Sequence, residues 1–385
     1  MISEKTIIIL GGGIGGVVCA NRLAKKVGNK AEIILVDKSA THIYQPSFLR
    51  VLFGERGPEQ IQKPLSSLER KGIEVVQDEI LKIIPENKTV KTQNRDFKYD
   101  YLIISLGAEL APEKIPGLNQ AGFNLYELRG IEKLRDELRI FSGGKIAVVI
   151  SSLPFKCPAA PYEAAFLLDE YFRKRNIRDK VEIGVFTPES LPLPAVGPEN
   201  GKIIKSMIES RNIKFNPELN LVSVAPDKKE IIFKENKIAK FDILIFVPPH
   251  QGEKAIRESG IGNEAGWIPV DKKTLQAKYE NVFAIGDAAF IALASGKPLP
   301  KAGVFAHLEA EVAADNIAND IKGINLKKEY DGQGSCFLET GFGKAGFASG
   351  KFYAEPDPQI KIRRPARIWH LGKVLFEKYW FWKWF

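Results

Sequence analysis

Thr6-Ile7-Ile8-Ile9-Leu10-Gly11-Gly12-Gly13-Ile14-Gly15-Gly16 is the stretch on which the fold turns. The apolar run reads as a buried parallel strand. The glycines after it fit G-x-G-x-x-G. Gly11 permits the tight turn, Gly13 lets a pyrophosphate approach the backbone, and Gly16 lets helix and strand pack closely. A helical pattern follows through Val17, Ala20, Leu23 and Ala24, and its N-terminus suits the pyrophosphate. A second buried strand, Glu32-Ile33-Ile34-Leu35-Val36, ends at Asp37, an acceptor for ribose hydroxyls. A lone glycine motif is weak. Strand, glycines, helix, strand and acid in that order make a strong dinucleotide-binding signal.

The remaining composition sets bounds. The chain has 385 residues, 44% hydrophobic and 27% charged, a globular balance with room for two or three domains. Three cysteines cannot form a disulfide framework for a body this large, and four histidines without metal-ligand spacing predict no metal site. No apolar run reaches the length of a membrane-spanning helix. Met1-Ile2-Ser3-Glu4-Lys5 lacks the zones of a signal peptide, so the expectation is a protein that stays on the cytoplasmic side. Of the formal net charge of +9, +6 sits between Ile360 and Phe385. The body is therefore nearly neutral and the tail basic.

Two further segments choose the dinucleotide. Tyr101 to Ala108 reads as a strand followed by a turn at Gly107. Asn281 to Ala289 reads as a strand ending in Gly286-Asp287. Both resemble the strands that complete the FAD domain of two-dinucleotide flavoproteins, where the aspartate binds the ribityl chain. Such proteins carry a second glycine fingerprint for NAD(P)H. Here the equivalent strand, Lys145 to Ile150, runs into Ser151-Ser152-Leu153-Pro154-Phe155-Lys156-Cys157-Pro158-Ala159-Ala160-Pro161, without glycines. Cys157 then stands beside Lys156 and just ahead of a helix predicted to start near Pro161. Both features predict a lowered thiol pKa and a reactive thiolate. Cys336 is the one candidate partner for it, and Cys19 reads as a packing residue.

These residues resemble the sulfide:quinone oxidoreductase and flavocytochrome c sulfide dehydrogenase flavoproteins. The loop Pro154 to Glu163 is similar to the dehydrogenase cysteine loop. Ala265 to Asp271, Gly286-Asp287 and Pro300-Lys301-Ala302-Gly303 are similar to the group as a whole, and Cys336 to Phe347 with Gly372 to Trp380 resemble the quinone reductases. The resemblance implies an α/β fold of two Rossmann-like domains. An FAD domain would cover 1–110 and 272–325, a second domain with its NADH site replaced would cover 111–271, and a C-terminal quinone and membrane segment would cover 326–385. It implies Cys157 and Cys336 as the redox pair, with Gly11, Gly13, Gly16, Asp37, Gly107, Gly286, Asp287 and Lys301 holding FAD. Lys301 would stabilise negative charge on reduced flavin, and Phe347 and Phe376 would flank a quinone. Sulfide, polysulfide and membrane quinone would be the partners. No cysteine lies in His42-Ile43-Tyr44-Gln45-Pro46, which makes the FAD non-covalent, and none lies between Cys19 and Cys157, which leaves two cysteines for the chemistry. A type-II NADH:quinone oxidoreductase, a flavocytochrome-type dehydrogenase and a non-enzymatic flavin-binding protein stay open as alternatives.

The tail fits a membrane surface. From Trp369 to Phe385, eight of 17 residues are aromatic. At helical spacing Leu371, Leu375, Tyr379 and Trp382 share one face, with His370, Lys373 and Glu377 opposite. Rings at headgroup depth and cations on anionic lipid suit an interfacial helix. The competing expectation is a helix packed on the body or in a homo-oligomer interface. Nothing points to nucleic acid.

Overall fold

The computed structural model describes residues 5–385, so four of the five residues read for a leader peptide lie outside it. In chain order the elements that build the site are β1 (Lys5–Leu10), α1 (Ile14–Val27), β2 (Ala31–Asp37), β3 (Glu74–Gln77), β4 (Tyr101–Ile104), β5 (Phe123–Asn124), α2 (Leu128–Ile140), β6 (Gly144–Ile150), α3 (Ala160–Lys174), β7 (Val181–Phe186), β8 (Ile213–Asn216), β9 (Ile243–Val247), β10 (Val282–Ala284), α4 (Gly303–Ile321), β11 (Gln333–Gly341), β12 (Lys344–Lys351), β13 (Gln359–Ala366) and α5 (Arg367–Trp384).

Two parallel sheets organise the chain. The first has the order β10-β4-β1-β2-β3, the second β5-β9-β6-β7-β8. Strand β10 enters from far down the sequence and aligns Val282 with Leu102. Ile7 to Leu10 are wholly buried, as continuous apolar runs must be in a sheet covered on both faces. Helices α1 and α4 pack on the first sheet, and Val17, Leu23, Ala310, Ala313 and Ile317 share one core with Ile7 and Ile9. Each large side chain buried there contributes about 1.5–3 kcal/mol.

The meander β11-β12-β13 is antiparallel and leads into α5. This last helix is two-faced. Trp380, Trp384 and Glu377 are buried, while Trp382 is 80% exposed beside exposed Ile368, Leu371, Leu375, Phe376 and Tyr379. The expectation of a helix packed on the body describes its inner face. One face packs on the body, and the other faces out with the residues the sequence pattern grouped together. Its inner face is clamped by polar contacts. Glu377 accepts from Arg50 at 2.9 Å, from Arg56 at 2.7 Å and from the Ser47 hydroxyl. The carbonyl oxygen of Trp384 accepts from the Lys71 ammonium at 2.9 Å. Buried His42 bridges to the glycine loop: its Nδ1–H donates to the Gly12 carbonyl at 2.8 Å, and its Nε2 accepts from the Trp380 indole at 3.3 Å. An indole can only donate and a carbonyl only accept, so one neutral tautomer satisfies both. Burial accordingly pushes the His42 pKa down to about 4. Among the described residues no helix is long and apolar enough to cross a membrane.

Candidate active site

A cavity of about 520 Å³ opens at the C-terminal ends of the first sheet, where ligands of this architecture bind. Gly11 and Gly13 from the end of β1, Asp37 from β2, Ser105 and Gly107 from β4, and Gly286 and Asp287 after β10 all line it. The local backbone explains the residue types. Gly11 has φ +100°, and a Cβ there would lie 2.3 Å from the Ser105 carbonyl oxygen. A Cβ on Gly16 would lie 1.8 Å from the Gly11 oxygen, so α1 and the turn touch backbone to backbone. Gly13 faces open space at the start of α1, with no side-chain cap and no acid in the first turn. Its unpaired N–H groups and helix dipole fit an anionic pyrophosphate. Asp37 accepts from the Gly12 N–H at 2.5 Å and the Ser39 N–H at 2.7 Å, which fixes its carboxylate at the cavity wall.

Lys301 lines the same cavity. Its ammonium donates to the carbonyls of Asp287 at 2.6 Å and Ala289 at 3.1 Å and lies 3.8 Å from the Trp267 ring centre. Burial lowers its pKa to about 8. Behind it, buried Glu309 accepts from the Gly286 N–H at 2.6 Å, and burial raises that carboxyl to about 7.

The cysteine loop docks directly on this wall. The Cys157 N–H donates to the Lys301 carbonyl at 2.6 Å, and the Tyr126 hydroxyl donates to the Cys157 carbonyl at 3.1 Å. Cys157 lines the cavity with φ +46°, a left-handed conformation that costs a non-glycine residue free energy. Cys336 stands outside the cavity lining, on β11, which packs against α3. Both are free thiols, and Cys336 is exposed. Cys336 lies close enough to act on Cys157: Glu163 and Cys336 both push the Cys157 thiol up.

One expectation is corrected here. The helix starts where the sequence placed it, but the Cys157 pKa lies well above the ordinary thiol range. Desolvation is the largest cause, and the Glu163 carboxylate in the first turn of α3 adds to it. Lys373 and the Ala160 N–H oppose them only in part. Cys336 is pushed up to about 11, again by desolvation first and Glu163 second.

Beside the thiols lies a polar network that sequence reasoning missed. Glu163 is 4% exposed. It accepts from the Lys373 ammonium at 2.9 Å and from the Glu339 N–H at 2.7 Å, and Glu339 pairs with His370 at 3.0 Å. Flanked by two carboxylates, Lys373 is held well above the usual lysine range in spite of burial. The available signal was the polar face of α5, on which His370 and Lys373 fall together. The two proposed quinone aromatics are placed differently. Phe347 stacks on Trp369 at 4.8 Å and 13°, with Arg363 over both rings, whereas Phe376 is 41% exposed on α5. Among the described residues no ring contact joins them.

Paired parallel sheets, a glycine cradle and a cysteine loop on one cavity define a dinucleotide-dependent oxidoreductase fold. Residues 5–310 match the pyridine nucleotide-disulphide oxidoreductase family. A mitochondrial sulfide:quinone oxidoreductase of Dictyostelium discoideum is 31% identical over 92% of this chain and 79% of its own length, and that of Mus musculus is 30% identical over 91% and 79%. The sulfide:quinone oxidoreductase structure from Aquifex aeolicus superposes with a TM-score of 0.88 at 24% identity, covering 99% of this chain and 91% of the other. The chain belongs to the pyridine nucleotide-disulphide oxidoreductase family and, within it, to the sulfide:quinone oxidoreductases.

Proposed function

We propose that this protein oxidises sulfide to sulfur or polysulfide with FAD and passes two electrons to a membrane quinone. The observation that carries the proposal is the seat of Cys157. A cysteine occupies the loop where a second glycine fingerprint would admit NADH, and its N–H is tied to the wall of the flavin cavity.

The residues present fit FAD. Gly13 and the start of α1 would hold the pyrophosphate, Asp37 the ribose hydroxyls, Asp287 the ribityl chain, and Lys301 the redox-active end of the ring. FAD bound there would supply the two-electron chemistry that links the sulfur centre to the quinone. Cys157 is the one cysteine lining the cavity, which favours non-covalent attachment. Domains at 1–110 with 272–325, 111–271 and 326–385 accord with the two sheets and the meander.

Sulfur exchange requires a thiolate and a reachable sulfur. Both thiols are held protonated by their surroundings, so ionisation must be assisted at the moment of attack. Glu163, beside both, is placed to take the proton, and Lys373 to neutralise the charge that results. Exposed Cys336 is reachable from solvent, and Cys157 from the cavity. Quinone would meet the protein near Phe347 and Phe376. The outward row Leu371, Leu375, Tyr379 and Trp382, with Lys378 and Lys383, supports peripheral attachment through α5, its apolar face some 5–10 Å into the headgroup boundary.

Anaerobic addition of sulfide, then separately NADH, to the yellow protein tests the proposal. Sulfide should bleach the flavin and a quinone should restore it. Bleaching by NADH alone would refute it.

A further inference from the structure

Four lysines line the flavin cavity: Lys38, Lys156, Lys254 and Lys301. Lys38 pairs with Glu253 at 3.4 Å and Lys254 with Glu258 at 3.8 Å. Lys301 donates to two backbone carbonyls. Lys156 stands apart. Among the described residues its ammonium makes no hydrogen bond, ion pair or ring contact, although it is half-buried. Taking a cation partly out of water without a partner is costly, so such a group is retained where a partner arrives from solution.

Its position says what arrives. Lys156 is the residue before Cys157 and forms a ladder bridge with Lys301 across the cavity wall. It belongs to the second sheet's loop, whereas the pyrophosphate cradle of Gly11 to Gly13 belongs to the first. Burial lowers its pKa from the ordinary lysine value, and the carboxylates of Asp287, Glu127 and Glu253 oppose that only in part. Close by, His250 is held neutral by burial and by Lys156, so it offers no competing charge. The other cation near the thiols, Lys373, is engaged by Glu163 and Glu339. Lys156 is therefore the one lysine ammonium at the cavity side of Cys157 with all its donors free.

We infer that Lys156 is the docking cation for hydrosulfide, holding the anionic sulfur nucleophile in the flavin cavity beside Cys157. The assignment rests on the sulfide-oxidising reading of the site and adds the residue that collects the substrate. A compact ammonium with three donors suits a small monovalent anion that has no planar edge for a fork of donors to match.

Rapid anaerobic mixing of the flavin-loaded full chain with sulfide tests the assignment. In Lys156→Met the sulfide concentration for half-limiting bleaching should rise about ten-fold to a hundred-fold, the worth of one hydrogen bond between charged groups. The change should fall on half-saturation rather than on the limiting rate, and Lys156→Arg should recover most of it. A second readout needs no turnover. Thiocyanate titrated into the oxidised holoenzyme should shift the visible flavin band in the parent and in Lys156→Arg, and leave Lys156→Met unmoved. Unchanged half-saturation in Lys156→Met overturns the inference. So does loss of bound FAD in that variant, which would assign Lys156 to the cofactor. If sulfide fails to bleach even the parent, the functional reading falls, and the thiocyanate titration then decides the anion site by itself.

Discussion

Replacing Glu377 by Gln should loosen the C-terminal helix from the body by a measurable amount. The carboxylate is buried and accepts from Arg50 at 2.9 Å, from Arg56 at 2.7 Å and from Ser47. Gln keeps the shape and one acceptor but removes the charge that both guanidinium groups face. Hydrogen bonds to charged groups contribute roughly 1.5–3 kcal/mol each, and breaking a buried pair costs about 3–5 kcal/mol. Both arginines keep some solvent contact, at 14% and 20% exposure of their side chains, so the lower end applies. A loss of about 3 kcal/mol follows, a fall of roughly 3–5 °C in the melting midpoint for a chain of this size. The sign with pH is fixed. Its partners hold the Glu377 pKa below the ordinary glutamate value. Its contribution is therefore complete above about pH 4.3 and is lost as pH falls through the lower, folded value. Calorimetry of parent and variant at neutral pH and at successively lower pH measures both effects. Equal midpoints at neutral pH, or a gap that widens on acidification, would refute the clamp.

Other consequences are as direct. Cys157→Ser and Cys336→Ser should each abolish bleaching by sulfide while the bound flavin spectrum persists, and full activity in either would exclude the two-cysteine mechanism. Gly16→Ala places a methyl 1.8 Å from the Gly11 oxygen, so purified protein should carry little flavin, read as the ratio of visible to ultraviolet absorbance. Trp382→Glu, at an 80% exposed position, should leave the melting midpoint within about 0.5 kcal/mol of parent stability. It should nonetheless reduce co-sedimentation with anionic vesicles, and unchanged sedimentation would remove α5 as the lipid contact.

The nucleotide scaffold was legible because its glycines answer to backbone geometry alone. Gly16 is required by the Gly11 oxygen in the same turn and Gly11 by its own φ of +100°, and the apolar strands around them bury whole. Asp287 and Gly107 became legible through resemblance. The acidity of Cys157 was misread because a lysine neighbour and a helix start are local features. The Glu163 carboxylate and the desolvation that outweigh them depend on how α3 meets β11 and α5. For the same reason the Glu163–Lys373 pair, 210 residues apart, left no trace in sequence spacing beyond a polar face on the last helix. Burial of that face also decided the tail: the pattern grouped its residues correctly but could not say that the polar side, with Trp380, faces the protein.

The His42 bridge changes how a shortened protein should behave. One imidazole, fixed in a single tautomer, carries Trp380 at one nitrogen and the Gly12 carbonyl at the other. Trimming the last turns to obtain a form free of lipid would thus also strip a prop from the turn that cradles the cofactor. Truncated preparations should come off the column pale, and their colourlessness would reflect the loss of the strut that one indole hydrogen supplies.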